Sequence, residues 1–204
     1  MTPLEFQRLT DVSRETLARL ETYAALLSKW QKAINLVSRD SLDDLWRRHM
    51  LDSAQLLPLL PENTRILVDL GSGAGFPGLV LAAQGVPEVH LIESDARKCA
   101  FLREAARGLG VTIQIHNCRV EEMPVMAADV VTARALATLP ELLDLAERFL
   151  VPHTICLFLK GKGADEELTW ACERWNMTLR RQSSASDPSG TILRLEHVHR
   201  DRAS

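Results

Sequence analysis

Apolar side chains recur at helical spacing through the first sixty residues, a stretch that contains no glycine. The clearest run has apolar residues every three or four positions, at Leu17, Leu20, Tyr23, Ala24, Leu27 and Trp30. This period predicts helices with one buried face. Residues 35–41 break the pattern, a further helix is predicted over residues 45–54, and Pro58 and Pro61 end it. Residues 1–62 are therefore predicted to form a helical cap ahead of the first strand.

From residue 66 onward, strand-like runs alternate with helical stretches. Strands are predicted at Ile66–Leu70, Val89–Glu93, Thr112–His116, Ala128–Thr132, Thr154–Lys160, Thr178–Gln182 and Ile192–His197. Helices are predicted near Phe76–Ala83, Ala96–Leu109, Leu139–Phe149 and Asp165–Trp175. This alternation predicts an α/β domain over residues 63–204, with a mostly parallel sheet covered on both faces. No helix separates the last two strands, so they are predicted to pair antiparallel at the sheet's edge.

Composition narrows the protein class. The chain has 204 residues, of which 46% are hydrophobic and 25% charged, as in ordinary soluble globular proteins. No apolar run approaches the roughly 20 residues that cross a bilayer, and the first residues lack the features of a signal peptide. The four cysteines are far apart and form no CxxC pair, so we expect reduced thiols, a cytoplasmic location and no metal site.

Charge points to a local rather than a general basic surface. The formal net charge is −3, which argues against a protein coated in positive charge. Short basic clusters occur at residues 47–49 and at Lys160 and Lys162, among other places. They are candidates for a nucleic-acid contact, and the alternative is that they solvate helix faces.

A glycine-rich loop follows the first predicted strand and carries the main chemical signal. It reads Asp69-Leu-Gly-Ser-Gly-Ala-Gly-Phe-Pro-Gly78. Such a loop lets the backbone turn sharply and lets a ligand lie against the main chain. The pattern fits a dinucleotide fingerprint, with Glu93 at the position of a ribose-binding acid. It also fits an S-adenosylmethionine loop, in which an acid ends the strand.

Physical chemistry favours S-adenosylmethionine. A pyrophosphate needs uncharged surroundings at an open helix N-terminus, and Asp69 would face it with the wrong sign. S-adenosylmethionine carries an ammonium and a sulfonium, so an acid near the loop helps. Phe76 adds bulk where dinucleotide loops keep small residues, and no second domain follows for a dehydrogenase substrate. The loop residues predicted to hold the cofactor are Asp69, Gly71, Gly73, Gly75 and Phe76.

Two further segments are predicted to contact the same cofactor. Glu93 ends the second strand, and its acceptor-only carboxylate suits both ribose hydroxyls. Val120 could pack on the adenine, and the backbone at Glu121 could read its amino group. The alternatives are a surface acid at Glu93 and an ordinary polar turn at residues 116–122.

An ordered set of motifs gives the chain a family resemblance. The motifs are Asn35-Leu36, Arg48-His49-Met-Leu-Asp52-Ser53, the glycine loop, Arg119-Val-Glu121, Thr132-Ala-Arg134-Ala-Leu-Ala and Leu159-Lys160-Gly161. From about residue 20 to the last strand, the chain resembles the glucose-inhibited division protein B family of bacterial 16S rRNA guanine-N7 methyltransferases. Each motif alone is only moderately specific, whereas their order is highly specific.

The resemblance implies a class I methyltransferase fold, Rossmann-like with seven strands, and S-adenosylmethionine as methyl donor. The implied partner is 16S rRNA, within the small ribosomal subunit, and the oligomeric state is expected to be a monomer. By position, the family's cofactor contacts correspond to Gly71, Phe76, Val120, Glu121 and Arg134. Relatives often have Asp in place of Glu93 and Leu in place of Phe76, and both substitutions keep the chemistry.

Methylation of guanine N7 needs alignment rather than a base. N7 has a free lone pair on the major-groove edge of guanine, so its attack requires no deprotonation and rests on proximity and orientation. Arg134 and Lys160 follow the fourth and fifth strands, at the carboxyl edge where ligands gather. Arg134 is predicted to orient the cofactor's carboxylate or the base. Lys160 is predicted to hold O6 or a phosphate, and the alternative is a solvated strand-end charge.

The predicted RNA contacts are Arg48, His49, Lys160 and Lys162. Arg48 and His49 contact phosphate or brace the cap, and an i,i+4 pair between Arg48 and Asp52 would favour bracing. The negative net charge predicts modest, salt-dependent RNA affinity. A dinucleotide oxidoreductase, a small-molecule methyltransferase and a non-catalytic RNA-binding protein stay open as alternatives.

Overall fold

A computed structural model of the protein describes residues 1–201. The α-helices are α1 (Pro3–Thr10), α2 (Arg14–Trp30), α3 (Arg39–Leu42), α4 (Asp52–Ala54), α5 (Gly78–Ala83), α6 (Ala96–Leu109), α7 (Leu139–Ala146) and α8 (Ala164–Cys172). A π-helical segment covers Trp46–Leu51, and short 3₁₀ turns cover Leu57–Leu59, Val120–Glu122 and Glu147–Phe149. Within the described residues, no helix combines the length and apolarity needed to span a membrane.

Among residues 1–201, seven strands form one sheet. They are β1 (Ile66–Leu70), β2 (Glu88–Ile92), β3 (Gln114–His116), β4 (Val130–Arg134), β5 (Ile155–Lys160), β6 (Trp175–Ser183) and β7 (Thr191–Arg200). Their order is β3-β2-β1-β4-β5-β7-β6, and the pairs of β7 with β5 and β6 are antiparallel. The predicted parallel sheet with an antiparallel edge hairpin is confirmed. Because the strand order reverses between β1 and β4, a ligand crevice is expected at their carboxyl ends.

The central strands are largely apolar because both faces of the sheet there are covered by hydrophobic residues. On one face, α5 packs against β1 and β2 and α6 against β3, and α2 packs over both helices, with Leu20, Tyr23 and Phe101 fully buried. On the other face, α7 and α8 pack around Phe149 and Trp175. The helical cap therefore shares a core with the first face. A domain boundary between residues 62 and 63 stays a prediction, and residues 202–204 of the second unit lie outside the described residues.

The clearest differences from the predicted elements are a helix break and the shared limit of α8 and β6. The first helical stretch breaks at Asp11, whose left-handed backbone (φ 52°) ends α1, and Ser13 then caps α2 by accepting from Thr16 N. The predicted helix through Trp175 is wrong at its end, because α8 stops at Cys172 and Trp175 opens β6. The indole of Trp175 is buried beneath the Arg200 guanidinium, and this strand-to-strand contact overrides the helical spacing.

Candidate active site

A cavity of about 760 Å³ opens at the carboxyl ends of the parallel strands. Its walls come from the glycine loop, the ends of β2, β4 and β5, the helical cap and the loop between β6 and β7. The predicted site residues that line it are Gly71, Gly73, Phe76, Glu93, Val120, Glu121, Arg134, Lys160, Arg48 and His49. Asp69, Gly75 and Lys162 do not line it. The topology thus brings most of the predicted residues to one place.

The glycine loop forms one wall of this cavity with its bare backbone. At Gly73 the backbone is left-handed (φ 57°), and an added Cβ would meet only the Gly71 carbonyl oxygen, at 3.8 Å. The turn is closed by a hydrogen bond from Gly75 N to Ser72 O of 2.7 Å. From the cap, the hydroxyl of Tyr23 donates to the Ala74 carbonyl. The main chain at Gly73 is therefore open to a ligand while its neighbours are fixed.

The carboxylate of Asp69 lies on the buried side of the glycine loop. Register places Thr132 opposite Asp69 in the sheet, and the Thr132 hydroxyl donates to the Asp69 carboxylate at 2.8 Å. The Gly78 N–H points at the other carboxylate oxygen, 3.4 Å away. Complete burial raises the pKa of Asp69 to about 6, against the lowering effect of these hydrogen bonds. A direct cofactor contact by Asp69 stays a prediction, since the structure places its carboxylate behind the cavity wall.

Glu93 is fixed at the end of β2 and faces the same cavity. One carboxylate oxygen accepts from Gly73 N at 2.9 Å, and the other accepts from Asp95 N at 2.8 Å. The side chain is buried, so the alternative of a solvated surface acid is wrong. A carboxylate has about four lone-pair sites, and two bonds leave acceptor capacity for a ligand.

Val120 and Glu121 lie in a 3₁₀ turn that a distant arginine holds in place. The Nη1 atom of Arg148 donates to the carbonyls of Glu121 (2.7 Å) and Met123 (2.6 Å). Val120 is buried at the cavity wall. Sequence reasoning missed Arg148, because a single arginine at a helix end carries no pattern that indicates two carbonyl partners 25 and 27 residues away.

Arg134 is held between the helical cap and an aromatic ring. Its Nη1 atom donates to the Arg48 carbonyl (3.1 Å) and to the Asp52 carboxylate (3.4 Å). Its guanidinium carbon lies 5.0 Å from the Phe76 ring centroid, a cation–π distance. These contacts orient the arginine at the end of β4 without a ligand.

The predicted pair between Arg48 and Asp52 is wrong. The Arg48 guanidinium pairs instead with Asp187, at 3.3 Å. The Asp52 carboxylate accepts from Arg134 and from the hydroxyl of Ser186 in the β6–β7 loop. Partners from distant parts of the fold replace the local helical pair. Sequence reasoning missed this network because serines in a polar loop have no periodicity.

His49 braces the cap. Its Nε2 atom lies 2.8 Å from Ser41 Oγ, within hydrogen-bond distance. The ring stacks on Phe76 with centroids 4.9 Å apart. Burial, with the Arg134 and Arg48 charges, lowers the pKa of His49 to about 3. Of the two roles that the sequence left open, the buried neutral ring fits bracing rather than pairing with phosphate.

Lys160 ends β5 at the cavity edge, and its side chain is only 10% exposed. The ammonium lies 2.6 Å from the Glu167 carboxylate and donates to the Ala137 carbonyl at 2.8 Å. The alternative of a solvated strand-end charge is therefore wrong. Lys162, two residues further on, is exposed and outside the cavity wall.

Comparisons with known proteins show which family and which folds the chain resembles. A family model described as "GidB: rRNA small subunit methyltransferase G" matches residues 16–190. The ribosomal RNA small subunit methyltransferase G of Rhodospirillum rubrum is 58% identical over 200 residues, covering 98% of this chain and 100% of that protein. The protein of the same name from Rhodospirillum centenum is 60% identical over 194 residues, covering 95% and 90%. Among solved structures, M. jannaschii TYW2 in complex with AdoMet has a TM-score of 0.58 at 16% identity, covering 83% of this chain and 80% of that chain.

Proposed function

The chain belongs to the family of rRNA small subunit methyltransferase G, and we propose that its cavity transfers a methyl group from S-adenosylmethionine to N7 of a guanine in 16S rRNA. The sheet is that of class I S-adenosylmethionine-dependent methyltransferases, as the sequence predicted. One observation carries the proposal. A single cavity joins the bare glycine loop to a cationic rim formed by Arg48, Arg134 and Lys160.

The residues present fit S-adenosylmethionine. The cavity volume of about 760 Å³ lies within the ~300–1,000 Å³ range of small-molecule sites. The open backbone at Gly73 admits a ligand. Glu93 keeps acceptor capacity for the ribose hydroxyls of the cofactor. Val120 offers an apolar surface for its adenine. When bound, the cofactor supplies a methyl group on a cationic sulfonium.

Alignment is the main catalytic task of the chain's own residues. N7 of guanine is already a nucleophile, so the reaction needs no general base. The histidine beside the cavity agrees with this requirement, because burial and the nearby Arg134 and Arg48 charges lower the pKa of His49 to about 3 and make it a weak base. Asp69 lies behind the cavity wall. Rigid positioning at the strand ends then supplies proximity and orientation.

Arg134 is assigned the orienting role. A guanidinium has five N–H donors, and the contacts to the Arg48 carbonyl and to Asp52 both use Nη1. The remaining donors have no hydrogen-bond partner among residues 1–201, and we assign them to the cofactor's carboxylate or to the target base. Stacking on Phe76 fixes the plane in which those donors lie.

Lys160 is assigned a contact with the RNA substrate. Its ammonium has three donors, of which Ala137 and Glu167 take two. The third donor is available for guanine O6 or for a phosphate. Because O6 lies beside N7, this contact would favour guanine over adenine.

Arg48 and Lys162 extend the cationic rim toward RNA phosphates. With a net charge of −3, the protein relies on shape more than on general charge, so we infer that the assembled small subunit is the substrate. All residues in this proposal come from one chain, and we infer a monomer that acts in the cytoplasm without a metal.

A methylation assay tests the proposal. Purified protein, labelled S-adenosylmethionine and either 16S rRNA or small subunits should give label at one guanine, located by mass spectrometry of RNA fragments. Small-subunit RNA from cells lacking the protein should lack that modification. Turnover of a small molecule in the absence of RNA, or a label on a different atom, would contradict the proposal.

A further inference from the structure

An ion pair crosses the mouth of the cavity. Arg48, in the π-helical segment of the cap, places Nη1 3.3 Å from Oδ2 of Asp187 in the β6–β7 loop. Both residues line the cavity, and their side chains are 50% and 32% exposed. A pair of this exposure, with one contact of this length, is weak and easily exchanged.

Asp187 keeps its place without Arg48. Its Oδ1 atom accepts from the amide and the hydroxyl of Ser189, both at 2.8 Å. These bonds are the main reason that the pKa of Asp187 lies below its usual range, and the Arg48 charge adds less. The same loop is tied to the cap through Ser186 with Asp52, and through Ala185 N with Gln55 at 2.7 Å.

The guanidinium of Arg48, by contrast, can change its position. Its carbonyl is held by Arg134, so the backbone stays fixed while the half-exposed guanidinium can turn. A guanidinium binds carboxylate and phosphate oxygens with the same planar donor geometry. A carboxylate on Arg48 at the mouth of an RNA-modifying cavity therefore occupies the position that a phosphate can take.

We propose that Asp187 is an internal competitor of RNA phosphate for Arg48. This inference rests on the proposed function and deepens it. As RNA binds, a phosphate beside the target nucleotide displaces Asp187 from Arg48, and the Ser189 hydrogen bonds retain the released carboxylate. The exchange lowers the affinity for RNA and confines tight binding to a substrate that also fits the cavity by shape.

Asp187→Asn is the direct test, because asparagine keeps the Oδ1 acceptor for Ser189 and removes the charge facing Arg48. Filter binding to 16S rRNA, without methyl donor and at low salt, should give a Kd about two- to fivefold lower than for the unaltered protein. Thermal unfolding verifies that the variant folds. If it does not fold, Asp187→Ser, which keeps a loop acceptor without charge, takes its place.

Two further variants distinguish the loss of the Asp187–Arg48 pair from a general loss of negative charge. Asp165→Asn makes the same charge change in an exposed aspartate that pairs with Arg181 outside the cavity wall, and it should leave the Kd unchanged. In an Arg48→Gln background, Asp187→Asn should have a clearly smaller effect, which reflects the remaining interaction of the Asp187 charge with Lys162. A Kd that rises or stays the same, an equal gain with Asp165→Asn, or a gain of the same size without Arg48 would overturn the inference.

The RNA-binding measurement does not depend on catalysis, so the two proposals can fail separately. Absence of methyl transfer by the unaltered protein would count against the proposed function. An unchanged RNA affinity in Asp187→Asn, with methyl transfer intact in the unaltered protein, would count against Asp187 alone.

Discussion

The ammonium of Lys160 lies 2.6 Å from the carboxylate of Glu167, and both side chains are largely buried. The same carboxylate oxygen of Glu167 accepts from the backbone amide of Leu139 at 2.7 Å. The pair is thereby anchored to the start of α7. Lys160 is held at the cavity edge before a substrate arrives, and a preorganised donor is more effective than one that must be ordered during the reaction.

Lys160→Ala is expected to slow methyl transfer about 10²-fold, the typical cost of removing one preorganised donor, while the Kd of S-adenosylmethionine changes by much less. Single-turnover kinetics and calorimetry measure the two effects. Lys29→Ala, in an exposed position on α2, is the control. Equal losses in rate and donor binding would remove Lys160 from the RNA side.

The loss of Lys160 alone also leaves Glu167 buried and unpaired, which destabilises proteins by roughly 3–5 kcal/mol. Lys160→Met combined with Glu167→Gln avoids the unpaired charge. The double variant should recover stability in chemical denaturation without recovering the rate. Recovery of the rate would mean that the pair serves stability only.

Gly73→Leu should abolish calorimetric binding of S-adenosylmethionine in a folded protein. The side chain would enter the cavity, since a Cβ at this position meets almost nothing of the protein itself. Gly110→Leu is the matched control, because Gly110 has a similar backbone (φ 64°) at the end of α6 and lies outside the cavity wall. Both variants incur a left-handed backbone cost of roughly 1–2 kcal/mol or more, and only Gly73→Leu should lose donor binding.

Arg148→Gln should weaken donor binding about tenfold, equivalent to one charge-assisted hydrogen bond of ~1.5 kcal/mol. The reason is that the turn carrying Val120 and Glu121 loses its tie to Arg148. The rate at saturating donor should fall little. Arg107→Gln, an exposed change near the end of α6, reports any general effect of lost charge. A fall in the saturated rate with an unchanged Kd would contradict this role.

His49 is expected to make stability depend on pH. Its pKa is about 3 in the folded protein and 6.5 when unperturbed, so the unfolded chain takes up the proton first and stability falls as pH drops below about 6.5. Between pH 7 and 5 the loss is about 2 kcal/mol. Asp69, with its pKa raised from 3.8 to about 6, acts in the opposite direction and gains stability over the same interval.

The difference between variants isolates the histidine contribution. Urea unfolding at pH 7 and pH 5 should show a smaller stability loss in His49→Gln than in the unaltered protein. His199→Gln, at an exposed position of β7, should behave like the unaltered protein. The same pH dependence in all three proteins would show that His49 is not buried as a neutral ring.

The sheet was predictable because its central strands are buried on both faces. The predicted limits of the first strand match β1, Ile66–Leu70, since each residue of that run is apolar apart from Asp69, the last but one. The last hairpin was harder to predict, because β6 is largely exposed after Trp175 and its apolar and polar residues alternate little. Its start could be found only from the packing of Trp175 with Arg200 on the neighbouring strand.

The site likewise contains residues that the sequence could place and contacts that it could not. Glu93, Arg134 and Lys160 could be placed by topology, because parallel strands bring their carboxyl ends to one edge. Contacts between polar loops could not be placed. The bonds of Asp52 with Ser186 and of Arg48 with Asp187 join residues 134 and 139 positions apart, and no local pattern in either segment specifies its partner.

The contacts between the β6–β7 loop and the helical cap have a consequence for how the protein folds during its synthesis. Ser184 and Ser186 meet Gln55 and Asp52, so the wall around Arg134 is incomplete until the loop has been made. During translation the cap and the glycine loop emerge first, and this loop follows only after all five parallel strands. A protein that modifies ribosomal RNA thus acquires the complete wall of its active site only after its parallel strands have been synthesised.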